Sequence, residues 1–148
     1  MSRDSSMTNV TASQVIGLLN LEPHPEGGWY RQSFSDRPDS AGRPLSTAIY
    51  YLLEGGKRNA WHRVDATEIW HWYAGDAMRI ETSHDGVHRI EALLGPDLIS
   101  GERPQFVIPA GHWQRTTCLG DWSLIGCTVT PGFQFSRFEL AEPGWEPG

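Results

Sequence analysis

The stretch that decides the fold of this 148-residue chain is GKRNAWHRVDATEIWHWYAG, residues 56–75. It places one imidazole and one carboxylate, His62 and Glu68, six positions apart between Gly56 and Gly75. Four large aromatic side chains accompany them: Trp61, Trp70, Trp72 and Tyr73. An imidazole next to a carboxylate is suited to acid–base chemistry or to metal binding. We therefore expect this stretch to build a functional pocket.

The composition indicates one acidic domain. The formal net charge is −6, which argues against the basic surface that nucleic acids or anionic membranes require. No apolar run reaches membrane-spanning length, and the first residues contain no apolar signal segment. We expect a cytoplasmic protein without nucleic-acid or membrane partners. We assign residues 1–10 to a disordered tail, 11–143 to a single domain and 144–148 to a C-terminal tail.

The rest of the chain predicts one helix followed by many short strands. Thr11 and Gln14 form a capping-box pair, and apolar residues at helical spacing predict a helix over about 12–20 that Asn20 can end. Alternating or apolar runs separated by Gly, Pro and Asp predict the strands, as in a sandwich or barrel. The predicted strands cover residues 29–35, 47–53, 59–64, 67–74, 78–83, 87–94, 105–108, 112–118, 122–129 and 133–140.

Two cysteines, Cys118 and Cys127, flank a predicted hairpin turn at Gly120-Asp121. Pairing across this turn would place Cys127 opposite Gln114 rather than opposite Cys118. We therefore expect two free thiols, and we expect Cys127 to face the same side as Gln114.

The spacing of the opening stretch resembles the first cupin motif, in which Gly56, His62, Glu68 and Gly75 keep their places. Val64 stands where the motif has a second histidine. Pro109-Ala110-Gly111 resembles the second motif, with Gln114 in its histidine position. This resemblance implies an all-β fold, the double-stranded β-helix or jelly-roll cupin barrel, here with one short N-terminal helix. Residues 11–143 would then be a single cupin domain.

Longer runs are similar to the uncharacterised family of small single-domain cupins called cupin-5. These runs are HPEGGWYRQSF (24–34), STAIYYLL (46–53), AWHRVDATEIWHWYAGD (60–76), VIPAGHWQ (107–114) and DWSLIGCTVTPGFQFSRFELAE (121–142). The resemblance implies a pocket that binds a small molecule, and often a homodimer. It does not imply a particular reaction.

The cupin resemblance also implies a metal site, because three histidines and a glutamate bind a divalent metal in typical cupins. Here only His62 and Glu68 remain as strong ligands, and Gln114 offers a weak amide oxygen. We expect a nickel, zinc, iron or manganese ion to bind weakly through His62, Glu68 and Gln114, or no metal to bind at all.

A metal-free site would use His62 and Glu68 as catalytic residues, with the histidine as a general base and the carboxylate fixing its tautomer. Cupin epimerases work in this way on a proton next to a carbonyl. An enolate would then need a cation such as Arg31, Arg63 or Arg115. The residues predicted to bind the ligand are Arg31, Gln32, Trp70, Trp72, Gln114 and Cys127.

The sequence therefore favours a small-molecule-binding cupin with epimerase- or isomerase-like activity on a carbohydrate- or nucleotide-like ligand. Two alternatives stay open. One is a non-catalytic ligand-binding or sensor module, and the other is a metal-dependent enzyme of dioxygenase or isomerase type. Alternation from Glu68 predicts that His71 faces away from the pocket. His24, His84 and His88, which lie in or beside turns, are predicted to be surface residues.

Overall fold

The computed structural model describes residues 9–148 and shows a jelly-roll barrel with a single α-helix in this part of the chain. Helix α1 spans Ala12–Leu19. The strands that follow are β1 Glu22–Pro23, β2 Trp29–Ser35, β3 Thr47–Glu54, β4 His62–Val64, β5 Thr67–Gly75, β6 Met78–Ser83, β7 Ile90–Leu94, β8 Gln105–Ile108, β9 Trp113–Cys118, β10 Trp122–Thr130 and β11 Phe138–Leu140. The predicted all-β jelly roll with one N-terminal helix is confirmed.

Helix α1 begins and ends where its capping residues predict. The Thr11 hydroxyl accepts the Gln14 backbone N–H, and the Gln14 side chain accepts the Thr11 N–H. Asn20 ends the helix in the left-handed conformation at φ 54°. The apolar side of the helix packs on the outer face of a sheet, where Val15 is buried with Leu52 and Trp122. Residues 1–8 of the predicted tail lie outside the described residues.

The strands form two antiparallel sheets that face each other. The first sheet has the order β1-β2-β3-β10-β5-β8, and the second has the order β11-β4-β9-β6-β7. Between them lies a core of fully or nearly fully buried side chains: Tyr51, Leu53, Trp70, Met78, Ile80, Leu94, Ile108, Cys118, Ile125 and Cys127. Because both sheets turn one face inward, any residue that faces the interior can meet residues of the opposite sheet.

The predicted hairpin of residues 112–118 with 122–129 is wrong. Strand β9 pairs with β4 and β6, whereas β10 pairs with β3 and β5 in the other sheet. The turn between them crosses from one sheet to the other and is held by Asp76, whose Oδ2 accepts the Asp121 N–H at 2.6 Å. Turn residues indicate a reversal of the chain, but they do not specify the strand that each arm pairs with.

Three predicted strands are shorter than expected. The strand predicted over 59–64 forms only over His62–Val64. Residues 133–137 do not form a strand, because Phe135–Arg137 is a turn of 3-10 helix and only Phe138–Leu140 pairs with β4. The strand predicted over 87–94, after the Asp85-Gly86 turn, begins only at Ile90.

The apolar strand β3 lies inside its sheet, between β2 and β10, and not at an edge. None of the helices in residues 9–148 has the length and apolar character needed to cross a membrane.

Candidate functional site

A cavity of about 260 Å³ lies between the two sheets, beside the paired side chains of the opening stretch. Its polar lining consists of His24, Glu26, Gln32, Thr47, His62, Glu68, Cys127 and Gln134. Its apolar lining consists of Tyr30, Ile49, Val64, Val129, Phe133, Phe135 and Phe138. Gln32 and Phe135 are exposed, so the cavity meets solvent on their side.

The two motif residues come from different sheets and meet through Gln114. His62 starts β4, Glu68 lies on β5, and Gln114 is the cross-strand neighbour of His62 on β9. The Gln114 amide Nε2 donates to Glu68 Oε1 at 2.8 Å across the barrel interior. The structure therefore brings His62, Val64, Glu68 and Gln114 together, as the motif spacing predicts.

His62 is fixed by a carboxylate other than Glu68. Its Nδ1 lies 2.7 Å from Glu26 Oε2 and 2.8 Å from the carbonyl oxygen of Ala60. Both partners are acceptors, so Nδ1 carries the proton and donates. His62 is 2 % exposed, and its Nε2 forms no hydrogen bond to the described residues, so Nε2 is the atom available to a ligand in the cavity.

Glu26 is held by the tight loop of residues 24–28. The His24 N–H donates to the carbonyl of Gly28, and the Gly27 N–H donates to that of His24. The Ala60 N–H donates to the Glu26 carbonyl at 2.8 Å, which ties this loop to the residues just before β4. Asn59 Nδ2 donates to Glu26 Oε2 at 3.3 Å from the other side. The carboxylate is therefore fixed from several directions.

His24 lines the same cavity, which corrects the prediction that it lies on the surface. It is 8 % exposed, packs against Tyr30 with ring centroids 4.6 Å apart, and lies near Phe135 and Phe138. Its Nδ1 accepts the backbone N–H of Glu26 at 3.1 Å. The prolines beside His24 indicate a loop, but they do not indicate that this loop folds inward over the barrel. His84 and His88 are exposed, as predicted.

Burial and charge set the protonation of the buried groups. Burial by itself lowers the pKa of His62, but the charge and hydrogen bond of Glu26 outweigh it, and the pKa lies above its usual value. Burial raises the pKa of Glu68 even though His62 and Gln114 act in the opposite direction. Burial next to the Glu68 carboxylate also holds the pKa of the Cys127 thiol well above its usual range. Burial lowers the pKa of His24.

Four of the residues predicted to bind a ligand do not line the cavity: Arg31, Trp70, Trp72 and Gln114. Trp70 is 1 % exposed and belongs to the packed core, Trp72 lies farther along β5 beside Pro104, and Arg31 is exposed on β2. The alternation along β5 places Trp70 and Trp72 on the inward side correctly, but the core fills the space around them. Gln32 and Cys127 line the cavity, whereas Gln114 bonds the lining residue Glu68 without lining the cavity itself.

The three arginines considered as enolate partners do not line the cavity either. Arg63 Nε bonds Glu139 at 2.9 Å, and its guanidinium lies over the Trp113 ring. Arg115 is buried and donates twice to Glu81 Oε1, at 3.1 and 3.0 Å. The sequence could not distinguish these pairings, because each partner lies on a different strand or segment.

An antiparallel jelly-roll barrel whose interior carries the motif residues His62, Glu68 and Gln114 defines a cupin. The chain belongs to the family Cupin_5 of the cupin superfamily (DUF985), which matches residues 13–141. This confirms the resemblance drawn from the sequence. No curated protein matches this chain.

Solved structures agree with the fold. A protein from Shewanella oneidensis is 39% identical, with a TM-score of 0.86 over 90% of this chain and 85% of that one. A hypothetical protein from Leishmania major is 26% identical, with a TM-score of 0.81 over 92% and 90% of the two chains. An oxalate decarboxylase variant from Bacillus subtilis is 13% identical, with a TM-score of 0.63 over 80% of this chain and 29% of that one. This last likeness is one of fold alone.

The residues at the cupin metal positions do not fit a tightly bound divalent ion. Val64 brings an apolar side chain into the cavity, and Gln114 directs its NH₂ group, not its oxygen, toward Glu68. Within residues 9–148, no group of three or more His, Cys, Asp and Glu side chains is arranged to hold a metal. His62 Nε2 and one Glu68 oxygen are too few donors for the sites that hold zinc or iron.

Proposed function

We propose that this cupin binds a small carbohydrate-like molecule in the cavity and moves a proton next to its carbonyl group, as an isomerase or epimerase does. The observation that carries this proposal is the Glu26–His62 pair. A buried carboxylate fixes the proton of His62 on Nδ1, which leaves Nε2 as a base that faces a ligand cavity. The carboxylate that fixes the tautomer of His62 in this proposal is therefore Glu26, whereas the sequence predicted Glu68.

The lining of the cavity favours a neutral ligand. Two carboxylates, Glu26 and Glu68, line it, while the described lining includes no lysine or arginine to bind a phosphate. The aromatic wall of Tyr30, Phe133, Phe135 and Phe138 offers flat apolar surfaces against which a sugar ring can pack. Of the two ligand classes that the sequence suggests, these features support the carbohydrate-like one over the nucleotide-like one.

The chemistry proceeds through His62 in its neutral form. Nε2 takes a proton from the carbon next to the carbonyl, the C–H electron pair forms the C=C bond of an enolate, and negative charge develops on the carbonyl oxygen. The resulting imidazolium is stabilised by the Glu26 carboxylate 2.7 Å from Nδ1. After the hydroxyl proton shifts, His62 returns the proton to the neighbouring carbon, which gives the isomer. Epimerisation requires the enolate to turn in the cavity before His62 protonates the opposite face of the same carbon.

Proton abstraction can be measured without knowing the product. The protein is incubated in D₂O with a panel of aldoses, ketoses and one nucleotide sugar that carries a ketone, UDP-4-keto-6-deoxyglucose, and loss of the ¹H NMR signal next to the carbonyl is followed. We expect exchange with at least one neutral sugar, and we expect His62→Gln to slow it by about 10²–10⁴-fold. The exposed His84 gives the matched control, since His84→Gln should leave the rate unchanged.

The non-catalytic module is the second candidate, and the loss of two metal-ligand positions, at Val64 and Gln114, favours it. Calorimetric titration of the same sugar panel distinguishes the two functions. Binding without exchange assigns the chain to the ligand-binding class. If no sugar either binds or exchanges, the proposed function is wrong.

The protein would act in a reducing compartment. Cys118 and Cys127 are both free and buried, which supports the predicted cytoplasmic location.

We retain residues 11–143 as the cupin domain. The tail 144–148 folds back on the barrel, where Trp145 packs against Trp113 with ring centroids 4.8 Å apart.

A further inference from the structure

The loop of residues 24–28 places a second imidazole, that of His24, at the cavity. The ring nitrogen Nδ1 accepts a hydrogen bond in His24 but donates one in His62. Nδ1 of His24 accepts the Glu26 N–H at 3.1 Å, so in the neutral ring the proton must be on Nε2. Nε2 forms no hydrogen bond to the described residues, and His24 lines the cavity. A neutral His24 therefore presents an N–H donor to a ligand.

His62 presents the complementary group. Its Nδ1 donates to Glu26 and Ala60, so in the neutral ring its Nε2 offers a lone pair. One residue, Glu26, sets both polarities, because its backbone N–H donates to His24 Nδ1 at 3.1 Å while its Oε2 accepts from His62. Its Oε1 lies 3.5 Å from His24 Nδ1 and forms no hydrogen bond with it. The cavity thus contains an N–H donor and a proton acceptor, each fixed in place by the same residue.

We propose that His24 is a catalytic residue whose neutral Nε2–H donates to the carbonyl oxygen of the ligand while His62 removes the neighbouring proton. This assignment rests on the function proposed above. The proton moves from the ligand carbon to His62 Nε2, and the charge that develops on the oxygen is stabilised by the His24 N–H, which keeps its own proton. A neutral imidazole can serve as such a donor where its pKa is lowered.

The surroundings of His24 favour the neutral ring. Tyr30, Tyr51, Phe135 and Phe138 surround it with ring centroids 4.6 to 5.9 Å away, and this packing excludes the water that would solvate an imidazolium. Burial, with a smaller contribution from His62, lowers the pKa of His24 even though Glu26 opposes this. The arginines expected to hold an enolate are paired elsewhere or exposed, and His24 supplies the donor that they do not.

The tautomers can be read directly from the protein without any ligand. Long-range ¹H–¹⁵N correlation spectra of protein labelled with ¹⁵N-histidine distinguish protonated from unprotonated ring nitrogens. The signals of the two residues are assigned by their loss in His24→Gln and His62→Gln. We expect His24 to be neutral at pH 7 with the proton on Nε2, and the neutral form of His62 to carry it on Nδ1. A His24 that is cationic at pH 7, or protonated on Nδ1 alone, overturns the inference.

The catalytic role is tested with two variants in the exchange assay on the sugar that wild type exchanges fastest. His24→Phe keeps an aromatic ring among its neighbours but removes the donor, whereas the Gln amide in His24→Gln can still donate. We expect a fall in kcat of about 10²–10³-fold for His24→Phe, a fall of less than about tenfold for His24→Gln, and an unchanged midpoint of the pH–rate profile. Equal rates in wild type and His24→Phe, or equal losses in both variants, contradict the role.

The two proposals can fail separately. If wild type exchanges no sugar, the proposed function fails, while the spectra still decide whether the cavity holds one donor and one acceptor imidazole. If wild type exchanges a sugar and His62→Gln abolishes this but His24→Phe does not, the proposed function stands and the role of His24 is wrong. Melting temperatures of all four proteins show whether a lost rate reflects lost folding.

Discussion

At the scale of single residues, the site depends on Glu26. This carboxylate is 8 % exposed, yet it lies within 2.7 Å of His62 Nδ1 and within 3.3 Å of Asn59 Nδ2. A buried charge is tolerated only where partners of this kind compensate for the loss of water. The carboxylate in turn allows His62 to become charged inside the barrel. The protonation of His62 therefore depends on a residue outside the cupin motifs.

The pairing of His62 with Glu26 predicts how stability depends on pH. The charged groups that face His62 are Glu26 and Glu68, and His24 is the other titratable neighbour. Because the pKa of His62 is raised on folding, its contribution is full below about pH 6.5 and is lost as the pH rises through the folded-state value. In Glu26→Gln the pair is absent, and we expect the free energy of unfolding to fall by about 1.5–3 kcal/mol at pH 6 and by less at pH 8.

Urea unfolding between pH 5.5 and 8.5 measures this difference. The exposed Glu91, which has only a 3.6 Å contact with Arg79, provides the control, and Glu91→Gln should follow the wild-type curve. If the free energy of unfolding depends on pH in the same way in Glu26→Gln and in wild type, Glu26 does not raise the pKa of His62.

At the scale of elements, the loop of residues 24–28 positions both His24 and Glu26. Its geometry depends on Gly28, which adopts φ +80° and lies against Tyr51. The Tyr51 hydroxyl donates to the Gly27 carbonyl, and Asn59 Nδ2 donates to that hydroxyl at 3.2 Å. Strand β3, which carries Tyr51, therefore supports the loop from inside the barrel.

Gly28→Ala should disrupt this loop. An added Cβ would lie 2.5 Å from Tyr51 Oη and 2.9 Å from the Leu52 carbonyl oxygen, in addition to the cost of a positive φ. We expect a loss of about 2 kcal/mol or more in the free energy of unfolding, of which about 1 kcal/mol comes from the positive φ alone. Gly42→Ala has a similar φ of +87° with nothing within 4 Å, so it should show only the smaller loss. Equal losses in urea titrations would show that Gly28 does not need its close approach to Tyr51.

At the scale of the whole molecule, the outer face of the first sheet carries exposed apolar and aromatic side chains. Helix α1 covers one part of this face, while Tyr73 and Val107 remain 50 % and 53 % exposed. Tyr50 and Tyr73 lie with ring centroids 6.2 Å apart, and His71 stacks near Tyr73, on the side away from the cavity as predicted. We propose that this face forms the homodimer interface, since exposed aromatic clusters are typical of protein contacts.

Light scattering at micromolar concentration tests the dimer. Wild type should show about twice the chain mass of 16.6 kDa, and Val107→Arg should shift it toward the monomer by placing a charge in the interface. Ile99→Arg changes a fully exposed residue outside this face and should leave the dimer intact. A wild-type monomer, or a dimer unaffected by Val107→Arg, would exclude this face as the interface.

The sequence by itself determined the features that depend on neighbours along the chain. The ends of helix α1 follow from Thr11, Gln14 and Asn20, because capping bonds join residues three or four positions apart. The motif spacing placed His62, Glu68 and Gln114 inside the barrel, because side chains alternate between the two faces of a strand. The family resemblance then identified the barrel itself, which periodicity alone left open among several all-β folds.

Only the tertiary structure decided which distant residues complete the site. Glu26 and His24 lie in a loop without periodicity, and no local rule shows that such a loop folds over a cavity beside a residue thirty-six positions later. The run 24–34 was part of the family resemblance, and that was the one signal available. Cys127 does face the interior, but it lies on β10 in the sheet opposite the one that holds Gln114, and the two residues are not paired in a hairpin. The sequence could not show this, because strand pairing is set by the packing of the whole barrel.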